Sequence, residues 1–427
     1  MNYTKLKPPM RVLNVAFDVS SETLNWSLEV PERFDDVKRV DGECINHTES
    51  IWDELKRIKK IGSENGFTEI RVICESTGIY HRSLLKIASG LGMRTNLVHG
   101  EAVAKYRTIR FADHGKTDLK DPQAILTVAK VGRLIRHREL DGRYAQLREL
   151  NRLVMRLERR KRAAKNELHA DLRMLFPDLR LSKSVLYGPT GQALINVFGG
   201  NPHRLISVGF DEFTRRIKAE SKNTKQTTLK RIWKAAEASM LQGCDEKIAE
   251  IQELGVRGSY AEIMEITERI SELERRMQEL YDQLREQDRR LPAARKGVIS
   301  KRLLSRLVAE IGPPEDFQSI RQLTRYAGLN LCERQSGKWR GQTMISRRGR
   351  SELRYVLNLM ALPLIRRSQL FGDYYWKKKE QDRMPGKKAI TCVMRKILKM
   401  FFGLYRSEGE FQESRVFVMN SQYHAAA

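Results

Sequence analysis

The chain has 427 residues, room for two or three domains, and carries 79 Lys and Arg against 53 Asp and Glu, a formal net charge of +26. Such an excess points to a polyanionic partner, nucleic acid above all, and the longest apolar stretch, Val356 to Ile365, is broken by Asn358 and Pro363 and too short to span a bilayer. The five cysteines lack CxxC or zinc spacing and read as reduced thiols, and Met1 to Pro9 lacks the apolar core of a signal peptide, so a bacterial-type cytoplasmic or nucleoid setting is expected.

From the N-terminus, Val12 to Phe17 is an apolar β-type run that ends at Asp18, and Leu24 to Val30 alternates as its hairpin partner. Ile51, Leu55, Ile58 and Ile61 fall at helical spacing. Ile70, Val72 and Cys74 mark a strand ending at Glu75, after which the pattern predicts a helix over Ile79 to Leu91 and a strand over Thr95 to Val98. This order reads as an α/β fold with a mixed sheet. Next, Lys116-Thr117-Asp118-Leu119-Lys120-Asp121 sets two carboxylates three apart, on one side of a helical turn. Asp121-Pro122 also reads as a helix cap followed by proline at the first helical position.

Each of these carboxylates, taken singly, also fits a strand end or a helix cap on the surface. Together, Asp18, Glu75, Asp118 and Asp121 form a set of hard oxygen donors without His or Cys, suited to Mg²⁺ or Mn²⁺. Two such ions roughly 4 Å apart serve phosphodiester cleavage by activating one oxygen and stabilising another.

From Tyr144 the chain turns helical and charged. Leu147, Leu150, Val154 and Leu157 keep a heptad register that Arg159 to Arg162 interrupt. Ile263, Ile266, Ile270, Leu273, Met277, Leu280 and Leu284 keep it unbroken, a coiled-coil seam of roughly 30 Å. The two helices are expected to pair within the chain and also to join subunits. Phe176 to Gln242, between them, reads as short amphipathic helices with Gly and Pro turns, and its basic segments fit either solvated faces or nucleic-acid contacts.

Further on, Leu303 to Gly312 reads as a helix closed by glycine, followed by helices over Ile320 to Gly328, Leu353 to Leu362 and Ala389 to Tyr405. Among them runs Arg334-Gln335-Ser336-Gly337-Lys338-Trp339-Arg340, continuing to Arg347-Arg348-Gly349-Arg350. A glycine-flanked serine amid Arg334, Lys338, Arg340, Arg347, Arg348 and Arg350 reads as a phosphate-handling loop, with Lys116 a further contact beside the acidic pair.

Three stretches, Phe17 to Ser20, Glu75 to Tyr80 and Lys116 to Asp121, resemble the DEDD signature of an insertion-sequence transposase family, the IS-one-ten family, whose relatives include Piv-type DNA invertases. Ala309 to Gly312, Tyr326 to Leu329, Ser336-Gly337 and Ile345 to Gly349 resemble that family's C-terminal domain. Its glycine-rich turn before the first of these helices keeps one glycine, in Ala294 to Val298. The resemblance implies a RuvC-like, ribonuclease-H-type domain over 1–138 and a mainly α transposase domain over 291–410, while the heptad pattern reads as a helical coiled-coil spacer over 139–290 and the end of the chain as a loose tail over 411–427. It also implies Asp18, Glu75, Asp118 and Asp121 as Mg²⁺ ligands and Ser336 as a nucleophile forming a covalent phosphoserine with DNA. A guide (bridge) RNA that pairs with donor and target DNA, and a homo-oligomer, dimer or tetramer, follow from the resemblance too. The expected function is that of a transposase or site-specific recombinase. Its rivals are a metal-dependent junction nuclease without a covalent intermediate and a non-catalytic nucleic-acid-binding protein.

Overall fold

The structure, a computed structural model, describes residues 11–31, 36–75, 78–111, 120–132, 134–140, 142–243, 245–295, 299–333, 335–336, 339–341 and 343–407. The chain divides into two compact units, Met1–Glu139 and Leu140–Ala427.

The first unit is built on a six-stranded mixed sheet in the order β3-β2-β1-β4-β5-β6. Its strands are β1 (Val12–Val19), β2 (Thr23–Pro31), β3 (Val37–Ile45), β4 (Glu69–Glu75), β5 (Arg94–Val98) and β6 (Ile135–Arg136). β1 to β3 form an antiparallel meander, β4 and β5 join β1 in parallel, and β6 closes the far edge antiparallel. Four helices accompany them among the described residues: α1 (Thr48–Glu64), α2 (His81–Gly90), α3 (Gly100–Phe111) and α4 (Lys120–Val131).

Alternation along β1, β2 and β4 gives the two faces of the sheet different chemistry. One face carries Val15, Phe17, Leu24, Trp26, Leu28, Val72 and Cys74 against Ile51, Leu55 and Ile58 of α1 and Leu84 and Leu85 of α2. The other carries Ala16 and Ile73 against Ala124, Ile125 and Val128 of α4 and Val103 of α3. On β2 that second face is polar, with Asn25 and Ser27 buried beside Ala16 and Asp18. Small and polar residues leave α4 room to lie close to the strands.

Alternation of apolar residues does not mark β3, because it is an edge strand exposed along most of its length, nor β6, which is two residues long. The cross-strand neighbour of Trp26 on β3 is Gly42, and the indole lies where a β-carbon at Gly42 would stand, 2.4 Å from the nearest ring atom.

The second unit hangs on two long helices, α5 (Gly142–Leu175) and α11 (Glu246–Gln287). They run antiparallel, as the pairs Arg143–Gln283, Arg160–Glu262 and Asp171–Ser259 show. The intramolecular pairing expected from the sequence is present. The buried row on α11 is not the regular seam, however. Ile263, Ile266, Met277 and Leu284 are buried with Glu274 and Tyr281, whereas Ile270, Leu273 and Leu280 are half-buried. Between the long helices sits a small bundle of α6 (Lys183–Leu186), α7 (Pro189–Phe198), α8 (Pro202–Ser207), α9 (Phe210–Glu220) and α10 (Gln226–Met240). Its own core includes Phe198, Phe213, Leu229 and Ile232.

The C-terminal part consists of α12 (Lys301–Ile311), a 3₁₀ turn (Pro314–Asp316), α13 (Ile320–Tyr326) and four two-residue strands. These are β7 (Leu331–Cys332), β8 (Gln335–Ser336), β9 (Trp339–Arg340) and β10 (Met344–Ile345), and α14 (Ser351–Arg367), α15 (Gln369–Trp376), a π-helical turn (Lys377–Gln381) and α16 (Gly386–Ser407) follow. α14 runs past Pro363, where the sequence pattern ends it at Leu362. The helix interior position costs Pro363 about 3 kcal/mol, and burial of Val356, Leu357, Met360, Ala361 and Leu364 outweighs it. The tail 411–427 lies outside the described residues. Among the described residues no helix is long and apolar enough to cross a membrane.

Candidate functional site

β1 and β4 are adjacent and parallel, in a register that pairs Phe17 with Cys74. The next residues along, Asp18 and Glu75, therefore stand side by side at the carboxyl ends of the two strands, where open α/β sheets gather functional groups. Phe17 and Cys74 belong to the core under α1 and α2, so alternation turns Asp18 and Glu75 to the opposite face, that of Ala16, Ile73 and α4. Asn25 is the cross-strand neighbour of Asp18 on that face.

Two helices close around this end of the sheet. A β-carbon at Gly100, the first residue of α3, would come within 2.1 Å of Glu75 Oε1, so the carboxylate lies against the amino end of that helix. The helix dipole favours a negative charge there. α4 starts at Lys120, which puts Asp121 inside its first turn rather than ahead of it as a cap. Asp121 is 3 % exposed. Its Oδ1 is 2.8 Å from Arg107 Nε on α3, yet neither atom has an aligned hydrogen bond. A buried carboxylate oxygen in that state costs free energy unless a cation completes its shell. Burial pushes the thiol of Cys74, beside Glu75, up to about 12, with the Glu75 charge a second cause, so it stays a neutral thiol.

Oxygen donors only, one of them buried and without an aligned donor, fit a hard divalent cation. The three described carboxylates do not make a complete site: among the described residues no three Asp, Glu, His or Cys side chains gather as a metal-holding group. Asp118 and Lys116 lie outside the described residues.

In the second unit the serine loop is held by a clasp. The segment Tyr326 to Leu329 and the segment Ile345 to Gly349, far apart as motifs, close on each other backbone to backbone. Arg350 N donates to Tyr326 O (2.8 Å), Arg347 N to Gly328 O (3.1 Å) and Ser346 N to Asn330 O (2.8 Å). Gly328 has φ 65° and Arg347 φ 54°. A β-carbon at Gly349 would sit 2.4 Å from Gly328 N and 2.6 Å from Tyr326 O, which is why glycine stands there. β7 and β10 pair just beyond, and β8 pairs with β9 so that Ser336 opposes Trp339. Arg334 and Lys338 lie outside the described residues, and Arg340 belongs to β9.

The cations of this loop are not all turned to solvent. Arg347 and Arg348 are exposed. Arg350 is ion-paired to Glu310, a carboxylate with no exposure at all; burial works against the Arg350 charge and Glu310 more than restores it, so its affinity for its proton rises. Ser346 Oγ meets Asn330 Oδ1 at 2.6 Å and belongs to the clasp.

Glu310 is also the end of a buried polar chain that sequence reading misses. Asn151 donates to Glu310 Oε1 (2.7 Å), and Arg306 donates to Asn151 Oδ1 (3.0 Å) and, through both Nη atoms, to Glu158 (2.7 and 3.0 Å). Arg148 donates to the carbonyls of Ala309 and Glu310 and to the Tyr326 hydroxyl. The only trace of it in the sequence is the occurrence of Arg148, Asn151 and Glu158 on the inward-facing side of a helix whose other inward positions are apolar.

Comparison with known proteins gives two family matches. Residues 297–376 match the model described as Transposase IS116/IS110/IS902 family, and residues 33–177 match that of the IS110 DEDD transposases. The second span includes Glu75, Asp118 and Asp121 but begins after Asp18; the first includes Ser336. The chain is similar to the pilin gene-inverting protein of Moraxella bovis, 32 % identical over 121 residues, 27 % of this chain and 36 % of that protein. The same figures hold for the pilin gene-inverting protein of Moraxella lacunata. The match thus spans about a third of the length of these curated relatives.

Proposed function

We propose, for a chain that belongs to the IS110 family of transposases, an enzyme that cuts and rejoins DNA in transposition or site-specific recombination. The observation that carries the reading is the pair of parallel strand ends, Asp18 beside Glu75, on the sheet face against which α4 packs, with Asp121 buried in the first turn of that helix. A six-stranded mixed sheet that begins with an antiparallel meander supports a RuvC-like reading of residues 1–138. Residues 139–290 are read as a coiled-coil spacer and 291–410 as the transposase domain.

In this reading Asp18, Glu75, Asp118 and Asp121 hold a divalent cation, which the DEDD family implies, Mg²⁺ or Mn²⁺. Such an ion, when bound, supplies positive charge to phosphate oxygens and eases loss of a proton from the attacking group. The residues of the chain do the rest. Arg107 and the amino end of α3 hold Asp121 and Glu75 in place. Ser336 attacks phosphorus as the bond to the leaving strand breaks, and the phosphoserine conserves the bond for rejoining. Arg347 and Arg348, exposed beside the clasp, bind phosphate, while Arg350 anchors the loop through Glu310. A guide RNA, donor and target DNA, assembly into a dimer or tetramer with serine and carboxylates from different subunits, and a cytoplasmic, nucleoid-associated setting complete the proposal.

A serine nucleophile becomes bonded to DNA, whereas a metal-activated water leaves no bond. Wild-type protein on a nicked suicide substrate with Mg²⁺ is expected to give an adduct that survives a denaturing gel, and Ser336→Ala to lose adduct and strand exchange together. Metal-dependent cleavage by Ser336→Ala would select the nuclease reading instead.

A further inference from the structure

One surface of the second unit joins an exposed aromatic ring to a run of cations. α15 ends in Tyr374-Tyr375-Trp376, and the chain passes through the π-helical turn Lys377–Gln381 before α16 begins at Gly386. Turns of this kind are rare and concentrate at functional sites. Trp376 is 46 % exposed, although a tryptophan usually buries most of its surface in a core. The ring meets Tyr375 edge to face at 5.2 Å, and Lys379 Nζ lies 4.5 Å from its centroid. Lys379, Arg383 and Lys387 are exposed, Lys379 against the ring and the other two within eleven residues of it along the chain, and Arg383 holds a left-handed backbone (φ 48°), costly for a residue with a β-carbon.

From Asp373 to Lys388 the sequence has six Lys or Arg against three Asp or Glu. Cations alone would suit any polyanion, duplex DNA included. Among nucleic acids, an exposed indole adds a stacking platform that an unstacked base can use, since a duplex hides the faces of its bases. We propose that this surface binds unpaired nucleotides, Trp376 stacking on a base while Lys379, Arg383 and Lys387 contact the adjoining phosphates. The charge is complementary, and the arrangement of aromatic and cation matches that of sequence-tolerant single-strand binding. The inference rests on the reading of the chain as an enzyme acting on DNA, but its test reads binding, so it stands or fails apart from the serine adduct.

The test uses the full chain and labelled strands of about 20 nucleotides, longer than a typical single-strand site. The strands are oligothymidylate, oligouridylate, an abasic strand of equal length and a duplex. Trp376→Ala is expected to weaken binding of the base-bearing strands about tenfold and to leave the abasic strand and the duplex unchanged, with Trp376→Phe restoring most of the loss. A larger loss on the uridylate strand identifies RNA as the source of the unpaired nucleotides, and a larger loss on thymidylate identifies DNA. Lys379→Ala with Lys387→Ala should lower the slope of log K against log salt by about 1.4 on single strands. Unchanged affinity in Trp376→Ala, or an equal loss on the abasic strand, overturns the proposal.

Discussion

The two units treat buried charge in opposite ways. In the helical unit the buried ions are matched: Arg306 grips Glu158 with both nitrogens and Asn151 with a third, and Glu310 takes Asn151 on one oxygen and Arg350 on the other. In the sheet unit Asp121 is buried as deeply, yet its Oδ1, although 2.8 Å from Arg107 Nε, lacks an aligned donor. Matched charge is scaffold, and removing one partner should be felt as lost stability. Incompletely matched charge costs stability and, on the proposed function, is kept for what it binds, so removing it should be felt as lost chemistry.

The sharpest way to break that contrast is Asp121→Asn, which is expected to abolish strand exchange in a two-plasmid assay while nucleic-acid binding and the melting temperature stay near wild type. An active Asp121→Asn protein would remove the residue from the site. Gly100→Ala comes next. Its β-carbon displaces the Glu75 carboxylate by an ångström or so, and a misplacement of that size costs about a hundredfold in rate with the circular dichroism unchanged.

On the other side of the comparison, Arg306→Ala leaves Asn151 Oδ1 without its donor and Glu158 with the Tyr355 hydroxyl alone, and should lower the stability of the helical unit by about 3 kcal/mol in urea unfolding. Loss of rate without loss of stability would reverse the assignment of scaffold and site. The smallest effect is a pH dependence. Burial pushes Glu158 up, but its hydrogen bonds and ion pair with Arg306 prevail and hold it below its ordinary value of 4.5. Its stabilisation is therefore present above pH 4.5 and lost as pH falls through the lower folded-state value. Arg306→Met should flatten that acid limb relative to wild type.

The sequence pointed to the sheet unit through patterns that belong to single segments. An apolar run located β1, alternation located β2 and β4, and a short β-type segment located β5, and strand-end positions singled out Asp18 and Glu75 before their register was known. β3 was hidden because an exposed edge strand needs no apolar alternation. What failed in the helical unit was the assumption that a regular heptad is the buried row. Glu274 takes an inward position because Arg302 and Arg306 of α12 meet it, and the row turns toward Tyr281. No local pattern announces a partner 28 residues away. The clasp was visible only as two motifs, since a contact between Gly349 and Gly328 is a property of the fold.

That clasp also decides how freely the serine segment can vary. With β7 and β10 pinned, the ends of the segment around Ser336 are brought together by the fold, not by the substrate. Closing a loop of this length in an unfolded chain costs about 2 kcal/mol of chain entropy, and doubling it adds only about 0.6 kcal/mol. Insertions between Cys332 and Met344 that leave β8 paired with β9 should therefore be cheap for folding. The segment can lengthen or shorten there, while the contact between Gly328 and Gly349 holds its ends.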